Sequence, residues 1–566
     1  MLKKLFWFLG FYLLPIGLLL LPLSSLLINS VSSIIHTQLY IPIAIKLLIV
    51  FTPSILATLF NTYLFVFKDT RNFNIFTINA GRPKSISNEK WKAMNPDIPS
   101  RYLTDKPNIG TIGFSNKTNK YITIPIIEDL KQGNANIVGI FGGSGAKKTT
   151  TLLTSIVLAS EQRSNLNIPS MILWDIKPDI HQRMPNVYKN VNVVSFTDKD
   201  NELYYGWDMY AGINEHSSDD EIIRHMRMLS SCLIYNKDSV EHASYFYDNA
   251  RNILTAYLYG TYKHLGLGFI DAITKLTSID LQQNIEQLTN IKDTKLKSML
   301  GIYLGKEGES FDDISTTLTT SLYVFTLDGV KYALRDNPKK AKPEDLLNGR
   351  SIITKIPDAQ LNLLGPLMAA QAEMTLNYIL SLEDRVGKNE KGIWIILDEL
   401  QNLPMIPSLI RAASLVRSKS CSLWYISQSV DALSQKYTDK GVNSLFENTS
   451  QLIILSAMSE LTLKLVTNNC GNYRCSMHSS SISGRSAIGN ISSSTSEQYR
   501  PIMEYEDTRA LRQLNAFIAL TSEGWFRAQK FTIRDSKELL QRSDNYVEEN
   551  EKILRKGVNK NFIRRY

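Results

Sequence analysis

The chain has 566 residues and a mass of 64.2 kDa, with 43% hydrophobic and 21% charged residues. It is too long for one ordinary core and too apolar for a disordered protein, so two or three domains are expected. Lysine and arginine (63) outnumber aspartate and glutamate (54), and the formal charge of +9 points to an anionic partner such as nucleic acid, phosphate or lipid headgroups. The four cysteines, Cys232, Cys421, Cys470 and Cys475, form no CxxC pair, which excludes a disulfide scaffold and argues against a zinc site.

Residues 5–28 carry no charge and are long enough to cross a hydrocarbon core of about 30 Å at about 1.5 Å per residue, and residues 47–67 form a second such stretch. No small-residue cleavage site follows the first run, which separates it from a signal peptide. Lys3, Lys4, Lys68 and Arg71 flank the outer ends of the pair, whereas the connection holds only Lys46. By the positive-inside rule, both ends of the pair and everything after residue 67 face the cytoplasm. Pro15, Pro22 and Pro53 bend such helices only modestly, since neighbours in a bundle re-satisfy the freed carbonyls.

Beyond the anchor, residues 120–127 (KYITIPII) alternate as a strand does. Short β-rich runs then appear at 137–141, 171–175, 191–196, 351–356, 394–397, 422–427, 451–456 and 517–520, separated by helical segments. That alternation predicts an α/β fold with a parallel, doubly wound sheet. Between about 214 and 340 the strands stop, and helical periodicity at 219–233 and 246–262 predicts an all-α insertion. Ten serines within 476–496, with almost no apolar anchor, predict a mobile loop.

The expected organisation is a membrane anchor at 1–68, an α/β domain split into 69–213 and 346–535, an all-α domain at 214–345 and a basic tail at 536–566. Residues 1–68 hold four lysines and no acid, and residues 552–566 hold six basic residues and no acid. The body between them is therefore close to neutral. The overall charge is mostly an orientation signal and a tail, and any grip on nucleic acid must come from a local stripe.

The run at 137–141 leads into Gly142, Gly143, Ser144, Gly145, Ala146, Lys147, Lys148, Thr149 and Thr150, followed by an apolar helix. Strand, glycine-rich loop and helix opening on Lys-Thr are the setting of a phosphate-binding P-loop. Backbone N–H groups would cradle the phosphates of ATP, Lys148 would reach the β and γ phosphates, and Thr149 would offer its hydroxyl to Mg²⁺. The pattern G-x-x-x-x-G-K-[ST] wants glycine at 147, and the chain has Lys147. A side chain at that crowded turn opens the loop or costs affinity, so binding is expected and turnover is left open.

Four apolar residues (394–397) carry Asp398 and Glu399 to the carboxyl edge of a buried strand, where α/β sheets bind ligands. Asp398 is the expected Mg²⁺ partner and Glu399 the group that polarises the attacking water. Gln428, at the end of the next strand, is placed to sense the γ-phosphate.

Two N-terminal membrane helices, a P-loop, a helical insertion and then DELQNLPMIPSLIRAASLVRSKSCSLWYISQSVDALSQKY at 398–437 resemble, in order and spacing, the type IV coupling proteins of the TraD/TraG type. Asp175-Ile-Lys177 and Tyr247-Asp-Asn-Ala-Arg251 match two further patterns of that family. The resemblance implies a RecA-like core in a homohexameric ring, anchored as a multi-pass protein in the bacterial inner membrane. It implies recruitment of relaxase-bound single-stranded DNA, gripped without sequence specificity, or of secreted protein substrates, delivered with ATP to inner-membrane channel components.

 By the same resemblance, Arg417, at the end of the helix after the acidic pair, would reach the nucleotide of a neighbouring subunit; the residue-level alternative is a helix C-terminal cation favoured by the dipole. The chain departs from the family pattern at Lys147 and shows no long acidic C-terminal run of the sort that some relatives use to dock a relaxosome protein.

Two other readings stay open at this point. One is a catalytically weakened scaffold that still assembles and docks substrates, motivated by Lys147. The other is an FtsK/HerA-like DNA translocase, although such pumps usually carry a longer membrane region and a winged-helix reader. An ABC-type ATPase is disfavoured because no LSGGQ-like signature is present.

Overall fold

The structure, a computed structural model, describes residues 88–162, 167–176, 180–235, 241–388, 390–483 and 490–557. The two expected membrane helices, Lys177 and the last nine residues of the basic tail lie outside the described residues. Among the described residues, no helix is long and apolar enough to cross a membrane.

Runs of Val, Ile, Leu and Trp bounded by turn residues become strands because β-branched and aromatic side chains fit a pleated, two-sided surface. In chain order the strands are β1 (Leu103–Thr104), β2 (Thr111–Ser115), β3 (Lys120–Thr123), β4 (Asn136–Phe141), β5 (Ser170–Asp175), β6 (Val191–Ser195), β7 (Gly206–Trp207) and β8 (Lys340–Ala341). They continue with β9 (Ser351–Lys355), β10 (Ile393–Leu397), β11 (Cys421–Ser427), β12 (Gln451–Ile454), β13 (Asn472–Ser483), β14 (Asn490–Pro501), β15 (Ala516–Thr521) and β16 (Gly524–Lys530).

Twelve of these strands form one sheet in the order β1-β3-β2-β16-β15-β12-β4-β11-β10-β5-β9-β6. The seven from β12 to β6 are parallel. Each expected core run is a strand, with ends shifted by no more than two residues. The run at 517–520 differs in direction: β15 lies antiparallel to β12, with Leu452 opposite Leu520, and begins an antiparallel annex through β16, β2 and β3 to β1. Only the length and route of a connection set strand direction, and neither is visible in a four-residue apolar run. The alternation at 120–127 also breaks early. β3 ends at Thr123, and the helix Ile126–Gln132 follows Pro125, which has no N–H to give to a ladder.

Successive residues of the central strands face opposite sides of the sheet. Ile137, Ile395 and Tyr425 enter one core, whereas Val138, Ile396 and Trp424 enter the other. The helix Lys148–Glu161 packs into the second core, and the helix Leu361–Ser381 into the first. Gln371 on that latter helix accepts from Trp174 Nε1 (2.9 Å) and from Thr354 Oγ1 (2.7 Å), which satisfies polar groups on two strands in an otherwise apolar layer.

Between β7 and β8 the described residues are helical, as the periodicity predicts. The helix Asp219–Leu233 starts at a capping box: Ser218 Oγ accepts from the Glu221 N–H, and Glu221 Oε2 accepts from the Ser218 N–H at 2.8 Å. The helix Glu241–Leu265 runs beside it, and Tyr257 donates to Asn284 Oδ1 at 3.1 Å to tie in the helix Leu281–Thr289.

The serine-rich segment corrects a third expectation. Instead of a loop, β13 and β14 pair without a break from Asn472 opposite Pro501 to Ser483 opposite Asn490. A ladder of backbone hydrogen bonds needs no apolar anchor, so composition alone misjudged it. The expected tail is likewise helical over Lys537–Gly557, with Leu539, Ser543 and Asn550 buried against the body.

Candidate nucleotide site

The P-loop joins the carboxyl end of β4 to the helix Lys148–Glu161. Gly142 leaves no room for a side chain, because an added Cβ would lie 2.8 Å from the Ala146 Cβ and 3.1 Å from the Leu455 Cβ. Gly145 has φ +72°, a left-handed conformation natural to glycine. Lys147 has φ +73° and ψ 24° and so adopts the same conformation. That explains why the pattern wants glycine there. A non-glycine residue in this region costs about 1–2 kcal/mol, yet the loop keeps its turn.

Lys148 opens the helix, is buried, and donates from Nζ to the Gly142 carbonyl at 2.8 Å. The Lys147 carbonyl accepts from Thr150 Oγ1 (3.0 Å) and Thr151 Oγ1 (2.9 Å), which leaves Thr149 facing the open side.

A cavity of about 340 Å³ opens over the loop. Gly143 through Thr150, Glu399 and Gln428 line it, so the structure brings nearly the whole expected site together. Gly142 lies just behind the lining. Asp398 is also behind it, buried at the end of β10, and its carboxyl is pushed up to about 7, chiefly by burial and then by the neighbouring Glu399 carboxylate. Asp398 Oδ1 accepts from the Glu399 N–H at 2.9 Å. Glu399 itself takes φ +50°, a strained conformation of the kind that concentrates at working sites.

Arg417 is placed apart from this group. It precedes β11, and its Nε donates to the Gly133 carbonyl before β4 at 2.7 Å, at the amino edge of the sheet, opposite its own P-loop.

The cavity also contains residues that motif reading missed. Gln401 donates to the Glu399 carboxylate and accepts from the Gln428 N–H at 3.3 Å, joining the ends of β10 and β11. Its signal was present in the Leu-Gln-Asn-Leu-Pro turn, which marks a tight return after the acidic pair. Asp358 follows β9, and Asn402 and Ile176 complete the lining. Asp358 could have been found as a carboxylate just past a predicted strand. Lys530 and Arg512, which approach the loop from the annex, carried no sequence signal.

Among the described residues, no group of three or more His, Cys, Asp or Glu side chains could hold a metal ion by itself. Mg²⁺ needs no such group, since one or two carboxylates plus substrate phosphates usually hold it. A buried carboxyl beside a second carboxylate and a threonine hydroxyl at the loop fits that donor set.

A parallel sheet with a P-loop after one inner strand (β4) and an acidic pair after another (β10), with β11 between the two, defines the RecA-like P-loop class. The family model described as the TraM recognition site of TraD and TraG matches residues 393–513. The type IV secretion system-coupling protein VirD4 of Bartonella quintana is 23% identical over 465 residues, covering 78% of this chain and 70% of that protein. The fold is shared with the bacterial conjugative coupling protein TrwB in its unbound form (TM-score 0.53, 15% identity, 76% of this chain and 90% of that one). It is shared equally with TrwB in complex with ADP and Mg²⁺ (TM-score 0.51, 14% identity, 76% and 91%). Across most of its length the chain is similar to the type IV coupling proteins of the TraD/TraG type.

Proposed function

We propose that this coupling protein binds ATP with Mg²⁺ at the P-loop and hydrolyses it to drive DNA or protein substrates toward a type IV secretion channel. One observation carries the reading: the P-loop and Glu399, which follows β10, meet at a single cavity that Gln428 also lines, with Asp398 buried behind it. The TrwB complex with ADP and Mg²⁺ supports it through a shared fold.

In this reading Lys148 exchanges the Gly142 carbonyl for phosphate oxygens, and the N–H groups of the loop and first helical turn receive the remaining charge. Thr149 and Asp398 would hold Mg²⁺, which when bound supplies positive charge against the phosphates. Glu399 takes the proton of the attacking water, and Gln401 orients its carboxylate. Gln428 is the group that senses the γ-phosphate. Arg417 lies away from its own loop, which supports a role at a neighbouring subunit's site in a hexameric ring. Residues 1–68 would anchor that ring in the inner membrane, with relaxase-bound single-stranded DNA or secreted proteins as cargo.

The full-length chain in detergent tests this by phosphate release and ATP binding. Lys148→Ala is expected to abolish binding, and Glu399→Gln to keep binding while lowering turnover by about a hundredfold or more. Wild-type turnover no faster than that of Glu399→Gln would sink the motor reading. Retained binding in that case would favour the docking scaffold, which the strained Lys147 motivates.

A further inference from the structure

Lys147 holds a left-handed turn that a lysine does not adopt freely, so another group must hold the loop in place. The peptide unit whose orientation sets this dihedral is the one between Ala146 and Lys147. Its carbonyl oxygen accepts from Lys530 Nζ at 3.2 Å, and the same ammonium donates to the Leu455 carbonyl beyond β12 at 2.7 Å. Lys530 ends β16 and is only 4% exposed. Its backbone is fixed by a bond from its N–H to the Asn515 carbonyl at 2.8 Å and by pairing with Gly113.

The surroundings make this an unusual place for a charge. Among the described ion pairs none involves Lys530, and the neighbouring charges are the cations Lys147 and Arg512. Burial, then those two cations, push the Lys530 ammonium down to about 8. A buried cation without a counter-charge is unfavourable for stability, so its two carbonyl contacts are the feature that its position serves. One of those contacts is on the phosphate loop, and the other is on the strand end that packs against Gly142.

We propose that Lys530 is a positioning residue of the nucleotide site, pinning the Ala146–Lys147 peptide and thereby holding the turn that glycine would supply in the usual pattern. The functional meaning rests on the ATP reading above; the mechanical claim does not. Lys530 touches no substrate in this role. It lets a P-loop with lysine in place of glycine keep a phosphate-ready shape.

Two readouts on the full-length protein separate these claims. The first is amide hydrogen exchange of residues 143–149 without nucleotide. Lys530→Met is expected to speed exchange about tenfold, and in the Lys147→Gly background by about threefold or less. Lys530→Gln serves the same arm if Lys530→Met does not fold. Equal acceleration in both backgrounds, or none in either, overturns the proposal, since a merely structural lysine would act regardless of residue 147. The second readout is affinity for a fluorescent ATP analogue with Mg²⁺, where the same non-additivity is expected. Absence of analogue binding by the wild type would refute the nucleotide reading alone, because the exchange cycle still decides the role of Lys530.

Discussion

A charge on the Asp398 carboxyl is unfavourable in the nucleotide-free protein, because burial and the Glu399 carboxylate beside it raise its pKa to about 7. The unfolded chain titrates near the ordinary value of about 3.9. The folded state therefore binds the proton more tightly, and the penalty grows as pH rises from about 4 and is complete above 7. Three units correspond to about 4 kcal/mol. Asp398→Asn should raise the unfolding midpoint of the nucleotide-free protein at pH 8, and that gain should shrink to less than half at pH 5. A gain of the same size at both pH values would contradict the assignment. That Lys148, Glu399 and Gln428 come to one cavity, with Asp398 behind it, was legible in the sequence, since each stands directly after a predicted strand or loop. Gln401 and Lys530 were much harder to find: their roles depend on which strand ends lie side by side.

At the scale of elements, β4 carries a constraint that its sequence does not announce. Tyr425 of β11 crosses over Gly139, with its hydroxyl bonded to Thr449 Oγ1 at 2.7 Å. A Cβ at Gly139 would lie 2.6 Å from that hydroxyl and 2.8 Å from Leu452 Cδ2. Gly139→Ala is expected to destabilise the protein by about 1–3 kcal/mol, seen as a lower denaturant midpoint, because the strand cannot move away from two paired neighbours. The double variant Gly139→Ala with Tyr425→Phe should recover part of the loss. Existence and type were readable for the parallel core, where apolar runs are long and bounded by turns. Direction failed at β15, and the β13–β14 hairpin was missed, since the first depends on connection geometry and the second on backbone pairing that serine neither favours strongly nor prevents.

Across the whole molecule, the C-terminal helix binds back onto the P-loop helix. Arg542 makes a two-pronged contact with Glu161 (Nε to Oε1 and Nη2 to Oε2, each 3.1 Å), and Tyr546 donates to Glu161 Oε1 at 3.0 Å. Asn550 Nδ2 donates to the carbonyls of Gln182 and Met184, each at 2.8 Å. The helix that begins at the phosphate loop therefore ends against the segment expected as a basic tail. Glu161→Ala should weaken this attachment by about 1–3 kcal/mol and speed tryptic cleavage within 537–557, while the main unfolding transition moves little. Cleavage no faster than in the wild type would show that the apolar contacts of Leu539 suffice.

The sequence by itself determined the class of this protein. A P-loop after a strand, an acidic pair after another, and a helical interruption between them are local patterns, each set by neighbours within about ten residues. Only the tertiary structure decided how the loop tolerates Lys147, where Arg417 points its bond, and that residues 537–557 of the expected tail are a packed helix. Those outcomes depend on contacts between residues hundreds of positions apart, such as Lys530 with Ala146, and hydrogen bonds across that separation leave no periodicity in the chain to read.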